Sequence, residues 1–310
     1  MTIPFTKLVG TGNDFVLVDE VRHRLEGLAS QWPAVARMLC ARTAEDVDGL
    51  LIVEPSRRAD VRMRVFNPDG SEPSMCGNGI RCLAWYAYRR GLVKGQRFSI
   101  ETKAGVREAE RRGADRVRIH MGTPRWLRCL AWPRLGEDRN VHADLIDSGV
   151  PHLVCQVKHV ARINVDELGR RLRRHRRLAP QGANVDFVQH GPSRARYDAA
   201  RRQVVYRTTI TMRTYERGVE GETQACGTGA VAAAAALIHA RMPLGTPLGR
   251  ESDLERHEVR VRVPGGVLRV SLSGKRQFDT DRLLFSEADL EGEVRRLSQG
   301  TFEWNGRRSA

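Results

Sequence analysis

The sequence predicts an α/β (α+β) fold made of two similar domains. Three observations support this prediction. An uncommon cysteine motif occurs twice, each copy stands between a strand-like and a helix-like segment, and the chain of 310 residues is long enough for two ordinary domains. A composition of 41% hydrophobic and 29% charged residues is typical of a globular protein.

Both copies of the motif read Glu-x-x-x-Cys-Gly-x-Gly. The first runs from Glu72 to Gly79 and contains Cys76, and the second runs from Glu222 to Gly229 and contains Cys226. The chain has only 6 cysteines among its residues, so a second chance occurrence is not expected. The repetition therefore indicates two homologous halves.

The segments around the two motifs repeat as well. Val61–Phe66 alternates with a period of two and Val204–Tyr215 is rich in Thr, Val and Ile, so a strand is predicted before each motif. Ile80–Tyr88 has helical periodicity, and the alanine-rich stretch Ala230–Ala240 predicts a buried central helix. Each half thus reads as strand, polar loop, motif and helix.

Further elements complete the predicted halves. Strands are predicted at Phe15–Asp19, Leu50–Glu54, Phe98–Thr102, Arg116–Met121, His152–Val157, Asn184–Gln189, Val259–Val263 and Val267–Leu272, helices at Trp32–Ala41 and Val165–Arg174, and a hairpin turn at Gly265-Gly266. We place the divide near Pro124. The first domain is then 1–124 with a C-terminal segment of about 275–295, the second is 125–274, and 296–310 is a flexible tail.

Composition argues against several classes of protein. No apolar run is long enough to cross a membrane, and the N-terminus lacks the layout of a signal peptide, so a cytoplasmic protein is expected. The cysteines form no C-x-x-C pair and have no zinc-finger spacing, which predicts neither a disulfide framework nor a metal site.

The net charge of +15 comes largely from arginine, as in the run 170–177. Binding to nucleic acid is one alternative that this charge leaves open. A solvated helix face is favoured, because aromatic residues make up only 6% and no nucleic-acid-binding motif accompanies the run. A pyridoxal enzyme is not favoured, since no lysine lies beside a phosphate-cradling motif.

The start of a helix suits acid–base chemistry. Its free backbone N–H groups and dipole hold anions, so the N–H groups of Gly77, Asn78, Gly227 and Thr228 could cradle a carboxylate. The same field favours a cysteine thiolate. One thiolate and one thiol on opposite faces of an α-carbon would invert it by removing one proton and returning another. The alternative for both cysteines is a small buried residue at a tight turn.

At these residues the sequence resembles the diaminopimelate epimerase family. The similar blocks are Gly12–Phe15, Phe66–Ser71, Met75–Cys82, Gly149–His152, Gly182–Phe187, Tyr215–Gly218 and Ala225–Ala230. The resemblance implies that each half is a β-barrel-like sheet around a central helix. It also implies an enzyme without a cofactor that interconverts LL- and meso-diaminopimelate in lysine and peptidoglycan synthesis.

The resemblance also assigns roles by position. It implies that Cys76 and Cys226 are the catalytic thiols. It implies that the substrate is bound by Asn13, Asn67, Gly77, Asn78, His152, Asn184, Glu216, Arg217, Gly227 and Thr228. Alternatives stay open for some of these residues: the asparagines could form turns, Glu216 and Arg217 could be a surface pair, and His152 could be structural.

Three departures from the family pattern concern substrate selection. Thr43–Gly49 lacks two glycines of the expected loop, Val150 stands where some members have Asn, and Ser273–Gln277 replaces a Gly-Pro-Ala-like stretch. A racemase of another amino acid, such as histidine, is therefore the alternative within the superfamily. The expected partner is a small-molecule amino-acid substrate, with a homodimer as one alternative for the oligomeric state. Mild oxidation is expected to join the two thiols reversibly if both contact one substrate.

Overall fold

The computed structural model describes residues 1–25, 27–42, 47–135, 138–201, 203–241, 255–277 and 282–306. The chain divides into two compact units. The first consists of Met1–Ile119 and Gly292–Ala310, and the second of His120–Glu291. The boundaries inferred from the sequence, near Pro124 and at about 275–295, remain predictions.

The structure contains many strands and few helices in its described part. The strands, in chain order, are β1 (Thr2–Gly10), β2 (Asn13–Asp19), β3 (Gly49–Glu54), β4 (Val61–Phe66), β5 (Arg97–Thr102), β6 (Gly105–Arg111), β7 (Arg116–Gly122), β8 (Arg125–Leu135), β9 (Asp138–Asp147), β10 (Pro151–Gln156), β11 (Asn184–Asp198), β12 (Gln203–Glu216), β13 (Gly221–Thr223), β14 (Glu255–Val263), β15 (Gly266–Gln277), β16 (Arg282–Phe285) and β17 (Ala288–Glu303). The α-helices are α1 (Glu20–His23), α2 (Trp32–Arg42), α3 (Gly77–Arg89), α4 (Val165–Arg173) and α5 (Gly227–Arg241).

The strands of the first unit form a closed barrel. Consecutive strands from β1 to β7 pair side by side, and β17 pairs with both β7 and β1. Because β17 joins the two ends of the row, no edge of this sheet is left unpaired. The β1–β17 pairing brings Thr2 opposite Glu303.

The second unit repeats this pairing pattern. In the first unit β2 and β3 are parallel, β3 and β4 antiparallel, and β4 and β5 parallel. In the second unit β10 and β11 are parallel, β11 and β12 antiparallel, and β12 and β14 parallel. A helix connects the strands of each parallel pair. Helix α2 lies between β2 and β3, α3 between β4 and β5, α4 between β10 and β11, and α5 between β12 and β14. The predicted α/β fold with two similar halves is confirmed.

Helices α3 and α5 are the central helices of their units. Helix α3 packs against β1, β2, β3, β4 and β6, and its residues from Asn78 to Ala84 are all buried. Helix α5 packs against β9, β10, β11, β14 and β15, and every residue from Ala230 to Ile238 is buried. The alanines of α5 lack bulky side chains, so strands can approach the helix from all sides. The predicted buried central helix is confirmed.

Two predictions about local structure need correction. The proposed tail 296–310 is wrong for residues 296–303, which belong to β17. Most side chains of this stretch are exposed, so it is held in the sheet by backbone pairing with β1. Its sequence lacks the apolar alternation from which a strand can be predicted. Residues 307–310 lie outside the described part. The β14–β15 hairpin turns at Pro264 and Gly265, one residue earlier than predicted, because Val263 pairs with Gly266.

Among the described residues, no helix combines the length and the apolar character needed to cross a membrane.

Candidate functional site

Cys76 is the N-cap residue of α3. Its backbone is extended (φ −133°, ψ 116°), and its carbonyl oxygen accepts the first helical hydrogen bond from the Ile80 N–H at 2.9 Å. The Gly79 N–H donates to Cys76 Sγ at 3.4 Å. A sulfur that accepts a backbone N–H at the positive end of a helix is stabilised as a thiolate.

Cys226 has the same arrangement at the start of α5. The Ala230 N–H donates to the Cys226 carbonyl at 3.0 Å, and the Gly229 N–H donates to Cys226 Sγ at 3.4 Å. The Thr228 hydroxyl also lies 3.4 Å from this sulfur. The repeated motif therefore produces the same local geometry twice, with a cysteine sulfur over the first turn of a buried helix.

The glutamate shared by both motifs clamps the loop before each cysteine. Arg64 of β4 donates to Glu72 from Nε at 2.8 Å and from Nη2 at 3.2 Å. Arg213 of β12 donates to Glu222 from Nε at 2.7 Å and from Nη2 at 2.6 Å. Such bidentate ion pairs fix the orientation of the two side chains as well as the distance between them. They explain why the repeat includes a glutamate four positions before each cysteine.

An amide network surrounds the start of α3. The Asn78 side-chain NH2 donates to Asn13 Oδ1. Arg81 Nη2 donates to Asn78 Oδ1 at 2.7 Å and to the Thr11 hydroxyl at 2.9 Å. Because the arginine can only donate, it fixes the Asn78 amide with its oxygen toward Arg81. Asn13 must then accept through its oxygen, which leaves its NH2 group as a donor for a ligand.

A second network surrounds the start of α5. The ring of His152 is completely buried, with Nδ1 2.7 Å from Asp186 Oδ2 and Nε2 2.9 Å from the Thr228 hydroxyl. The Asn184 side-chain NH2 donates to Nε2 at 3.2 Å. A carboxylate at Nδ1 and an NH2 donor at Nε2 assign the neutral tautomer that is protonated at Nδ1. Nε2 then accepts a hydrogen bond from the Thr228 hydroxyl. A hydrogen-bonded path therefore joins Cys226, Thr228 and His152.

Burial and two neighbouring carboxylates determine the electrostatics of Cys226. Burial raises the pKa of the Cys226 thiol well above its ordinary value, and the neighbouring Glu216 and Asp186 raise it further. Burial also raises the pKa of Glu216, whose Oε1 accepts the Thr223 hydroxyl at 2.6 Å. Cys226 therefore carries its proton at neutral pH until a neighbouring base removes it.

The hydrogen bonds of the remaining site candidates, Asn67 and Arg217, are formed with residues other than the two cysteines. Asn67 occupies a turn after β4, where its NH2 donates to the Ser71 hydroxyl at 2.9 Å. Arg217 donates from its backbone N–H to Asn184 Oδ1 at 2.7 Å and from its guanidinium to the Gln181 carbonyl at 3.4 Å. Within the described ranges no ion pair joins Arg217 to Glu216. The structure thus assembles most candidates around one or the other cysteine but gives Asn67 a turn-forming contact.

Sequence reasoning missed two buried charged residues of these networks. Asp186 is completely buried in β11 and receives hydrogen bonds from His152 and from Thr214, the latter at 2.8 Å. Arg81 is completely buried in α3. The available signal was the same for both residues: a charged side chain on the apolar face of an element is rare unless it has a specific partner.

The other four cysteines have no comparable setting. Burial raises the pKa of the Cys40 thiol to about 11 and raises the pKa of Cys82, Cys129 and Cys155 as well. Cys226 shares the raised pKa, so position makes the difference: these four cysteines lie inside α2, inside α3, in β8 and in β10, and none of the four caps a helix. Across the described stretches, no cluster of three or more His, Cys, Asp or Glu side chains could hold a metal ion.

Two of the departures from the family pattern are described in part. Thr43–Asp46 lies outside the described residues. The rest of that loop is tied to β2, since the Asp14 N–H donates to Asp48 Oδ2 at 2.7 Å. Ser273–Gln277 belongs to β15. Val150 is half-buried, and its carbonyl accepts the Ser148 N–H at 3.2 Å.

Solved structures share this fold over nearly the whole chain. A PhzF-family phenazine biosynthesis protein of Bacillus anthracis aligns with a TM-score of 0.69 at 16% identity, covering 98% of this chain and 100% of that chain. A probable proline racemase of Agrobacterium radiobacter K84 aligns with a TM-score of 0.62 at 16% identity, covering 98% and 93%. The chain is therefore an α/β protein of the fold shared with these two proteins, with a cysteine-capped central helix in each unit.

Sequence comparison narrows this class to one family. The diaminopimelate epimerase family profile matches residues 5–127 and 145–283. A diaminopimelate epimerase of Methanothrix thermoacetophila is 39% identical over 89% of this chain and 91% of its own length. One of Archaeoglobus fulgidus is 38% identical over 88% and 90%. The chain belongs to the diaminopimelate epimerase family and is an isomerase.

Proposed function

We propose that this protein interconverts LL- and meso-diaminopimelate without a cofactor, using Cys76 and Cys226 as its two acid–base groups. The observation that carries the proposal is the cysteine N-cap that begins both central helices, in a chain 38–39% identical to diaminopimelate epimerases over about nine tenths of its length.

The chemistry requires one base and one acid on opposite faces of the α-carbon. A thiolate removes the proton, and a thiol returns a different proton to the other face, so the configuration inverts. The negative charge that develops spreads onto the substrate carboxylate. We assign its stabilisation to the first-turn N–H groups of α3 and α5, at Gly77, Asn78, Gly227 and Thr228, because helix N-termini bind anions.

The two cysteines begin the reaction in different protonation states. Cys226 is a thiol in its carboxylate-lined surroundings, which suits the acid role for one stereoisomer. For the opposite direction it must lose its proton. The path through the Thr228 hydroxyl to His152 Nε2, with Asp186 behind the ring, supports His152 as the group that receives this proton, and Glu216 is a second acceptor near the sulfur.

The polar residues near the cysteines supply substrate recognition in this proposal. Because the oxygen of the Asn13 amide accepts from Asn78, its NH2 group is a donor for a substrate carboxylate, and the Arg217 guanidinium is a donor for the distal carboxylate. The Asn184 amide donates to His152 and accepts from the Arg217 N–H, so we propose that Asn184 orients these two residues. We propose Asn67 as a further substrate-binding residue. We also propose a cytoplasmic enzyme of lysine and peptidoglycan synthesis, with a homodimer as one alternative for its oligomeric state.

A turnover assay in deuterated water tests the reaction. Incubation of the purified protein with LL-diaminopimelate should give the meso form with one deuterium at the inverted carbon. Cys76→Ser and Cys226→Ser should each reduce turnover by at least about 10²-fold, because each removes an acid–base group. Cys129→Ala is the matched control, since it removes an exposed thiol outside both networks.

The same assay separates the alternatives. Turnover of histidine or another amino acid, with no reaction of diaminopimelate, would support a racemase of different specificity, for which the altered Thr43–Gly49 loop is the candidate cause. Absence of turnover on every amino acid, together with a nucleic-acid gel shift that survives about 0.2 M salt, would instead favour binding through the arginine-rich run.

A further inference from the structure

Arg81 is a completely buried cation, and no carboxylate in the described part of the chain pairs with it. Its guanidinium donates to three neutral acceptors, namely the Gly77 carbonyl at 2.9 Å, the Thr11 hydroxyl at 2.9 Å and Asn78 Oδ1 at 2.7 Å, while its Nε has no hydrogen-bond partner. Among the described residues no ion pair involves Arg81. Burial lowers the pKa of Arg81 to about 10, so the group is still charged at neutral pH. A buried charge of this kind normally has a counter-charge.

The direction of the Arg81 side chain points to that counter-charge. A long helical side chain extends toward the helix N-terminus, and the acceptors on Gly77 and Asn78 place the guanidinium along the first turn of α3. Cys76 caps this turn. The thiols of Cys76 and Cys82 are the groups whose negative charge would interact with Arg81. Cys82 is fully buried and its pKa is raised by burial, so it stays neutral. Cys76 therefore remains as the candidate counter-charge of Arg81.

The other charged groups near α3 have partners of their own. The buried and half-buried charged residues on the strands that pack against this helix include Lys7 on β1, Asp14 and Asp19 on β2, Glu54 on β3, Arg64 on β4 and Glu110 on β6. Lys7 pairs with Asp14 at 3.1 Å, Glu54 with Arg64 at 3.5 Å, and Glu110 with Arg112 at 3.0 Å. Asp19 accepts the Tyr86 hydroxyl at 3.0 Å. None of these carboxylates pairs with Arg81.

The second copy of the motif has no such cation. Val231 stands five positions after Cys226, where Arg81 stands after Cys76, and the surroundings of Cys226 contain the carboxylates of Glu216 and Asp186. The two thiols therefore have the same backbone geometry and opposite electrostatic surroundings.

We propose that Arg81 is a positioning residue whose buried charge holds Cys76 as the thiolate in the resting protein, while Cys226 waits as the thiol. The same guanidinium orients the Asn78 and Asn13 amides beside that sulfur. Arg81 thus sets which cysteine is the base when substrate first binds. Only the assignment of Cys76 as the catalytic base rests on the proposed function, because the charge state of Cys76 is a property of the free protein.

The test measures thiol titration without substrate. Iodoacetamide labelling at a series of pH values, with peptide mass spectrometry, gives the inflection for each cysteine, since only the thiolate reacts. In the wild type the Cys76 inflection should lie at least about one pH unit below the ordinary value of about 8.5 and below that of Cys226. In Arg81→Met it should rise by about one unit or more, which lowers labelling at pH 7 about tenfold.

Arg89→Met is the matched control, because Arg89 is an exposed arginine in the last turn of the same helix. It should leave the Cys76 inflection unchanged. Arg81→Lys keeps the charge but not the three-acceptor geometry, so its inflection should stay closer to the wild type than that of Arg81→Met.

Two results would overturn the proposal: a wild-type Cys76 inflection at or above the ordinary value, or an unchanged inflection in folded Arg81→Met. If circular dichroism shows that Arg81→Met does not fold, the wild-type protein decides the question: its Cys76 inflection must lie at a lower pH than its Cys226 inflection. A low Cys76 inflection in a protein that does not turn over diaminopimelate would contradict the proposed function and leave this inference standing.

Discussion

Replacing Gly229 with alanine tests the packing of the Cys226 site. A Cβ atom at this position would lie 2.6 Å from Asp186 Oδ1, against an ordinary contact of at least 3.4 Å, and 3.2 Å from Asp186 Cγ. The carboxylate must therefore move by about 0.8 Å. It cannot do so freely, because it accepts hydrogen bonds from Thr214 at 2.8 Å and from His152 at 2.7 Å.

The expected loss of stability follows from those two bonds. A hydrogen bond to a charged group contributes about 1.5–3 kcal/mol, so losing both bonds costs about 3–6 kcal/mol. Alanine gains about 1 kcal/mol over glycine in a helix. We therefore expect Gly229→Ala to lower the free energy of unfolding by about 2–5 kcal/mol. Turnover should fall by about 10² or more, because His152 loses its fixed orientation.

Urea unfolding and the deuterium turnover assay measure the two effects. Gly79→Ala is the matched control, since the same motif position in α3 meets a flexible Leu51 methyl group at 2.9 Å instead of a fixed carboxylate. It should cost about 1 kcal/mol. Equal effects of the two substitutions, or a Gly229→Ala protein with wild-type stability and turnover, would refute the reasoning.

Two further predictions concern the first and second units separately. Arg213→Lys should lower the free energy of unfolding by about 1–3 kcal/mol in urea, because lysine cannot form the two-pronged pair with Glu222; an unchanged midpoint would contradict this. Ser99→Ala should destabilise the protein at pH 7 and less at pH 3. The Ser99 hydroxyl and backbone N–H both donate to Asp60 Oδ2 and lower the pKa of Asp60, and alanine removes only the hydroxyl. The contribution of the hydroxyl is present above the ordinary carboxyl pKa and is lost as the pH falls through the lower folded value. A Ser99→Ala effect that is the same in urea titrations at both pH values would contradict it.

The fold and the two sulfur positions could be predicted because their signals are local. A cysteine followed by two glycines, between a strand and an apolar helix, specifies the N-cap geometry of Cys76 and Cys226 within a few residues. The pairing of β17 with β1 could not be predicted in this way. Thr2 and Glu303 lie at opposite ends of the chain, and the exposed half of β17 has no apolar pattern.

The networks behind the sulfurs were also beyond local reasoning. The sequence places His152 and Asp186 on neighbouring parallel strands only when the pairing of β10 with β11 is known. Likewise, the meaning of Arg81 depends on what surrounds it, because the same residue on an exposed helix face would be one of many solvated arginines. Residue type indicates the chemistry of the motif, whereas the tertiary surroundings raise the pKa of the Cys226 thiol.

The barrel of the first unit has a consequence for synthesis of the protein. A ribosome synthesises β1 to β7 first, whereas β17, the strand that closes their sheet, follows β8 to β16 in the chain. Before β17 is made, the sheet of the first unit has two open strand edges, with which other chains can pair. The barrel of the first unit can therefore close only after β8 to β16 of the second unit have been synthesised.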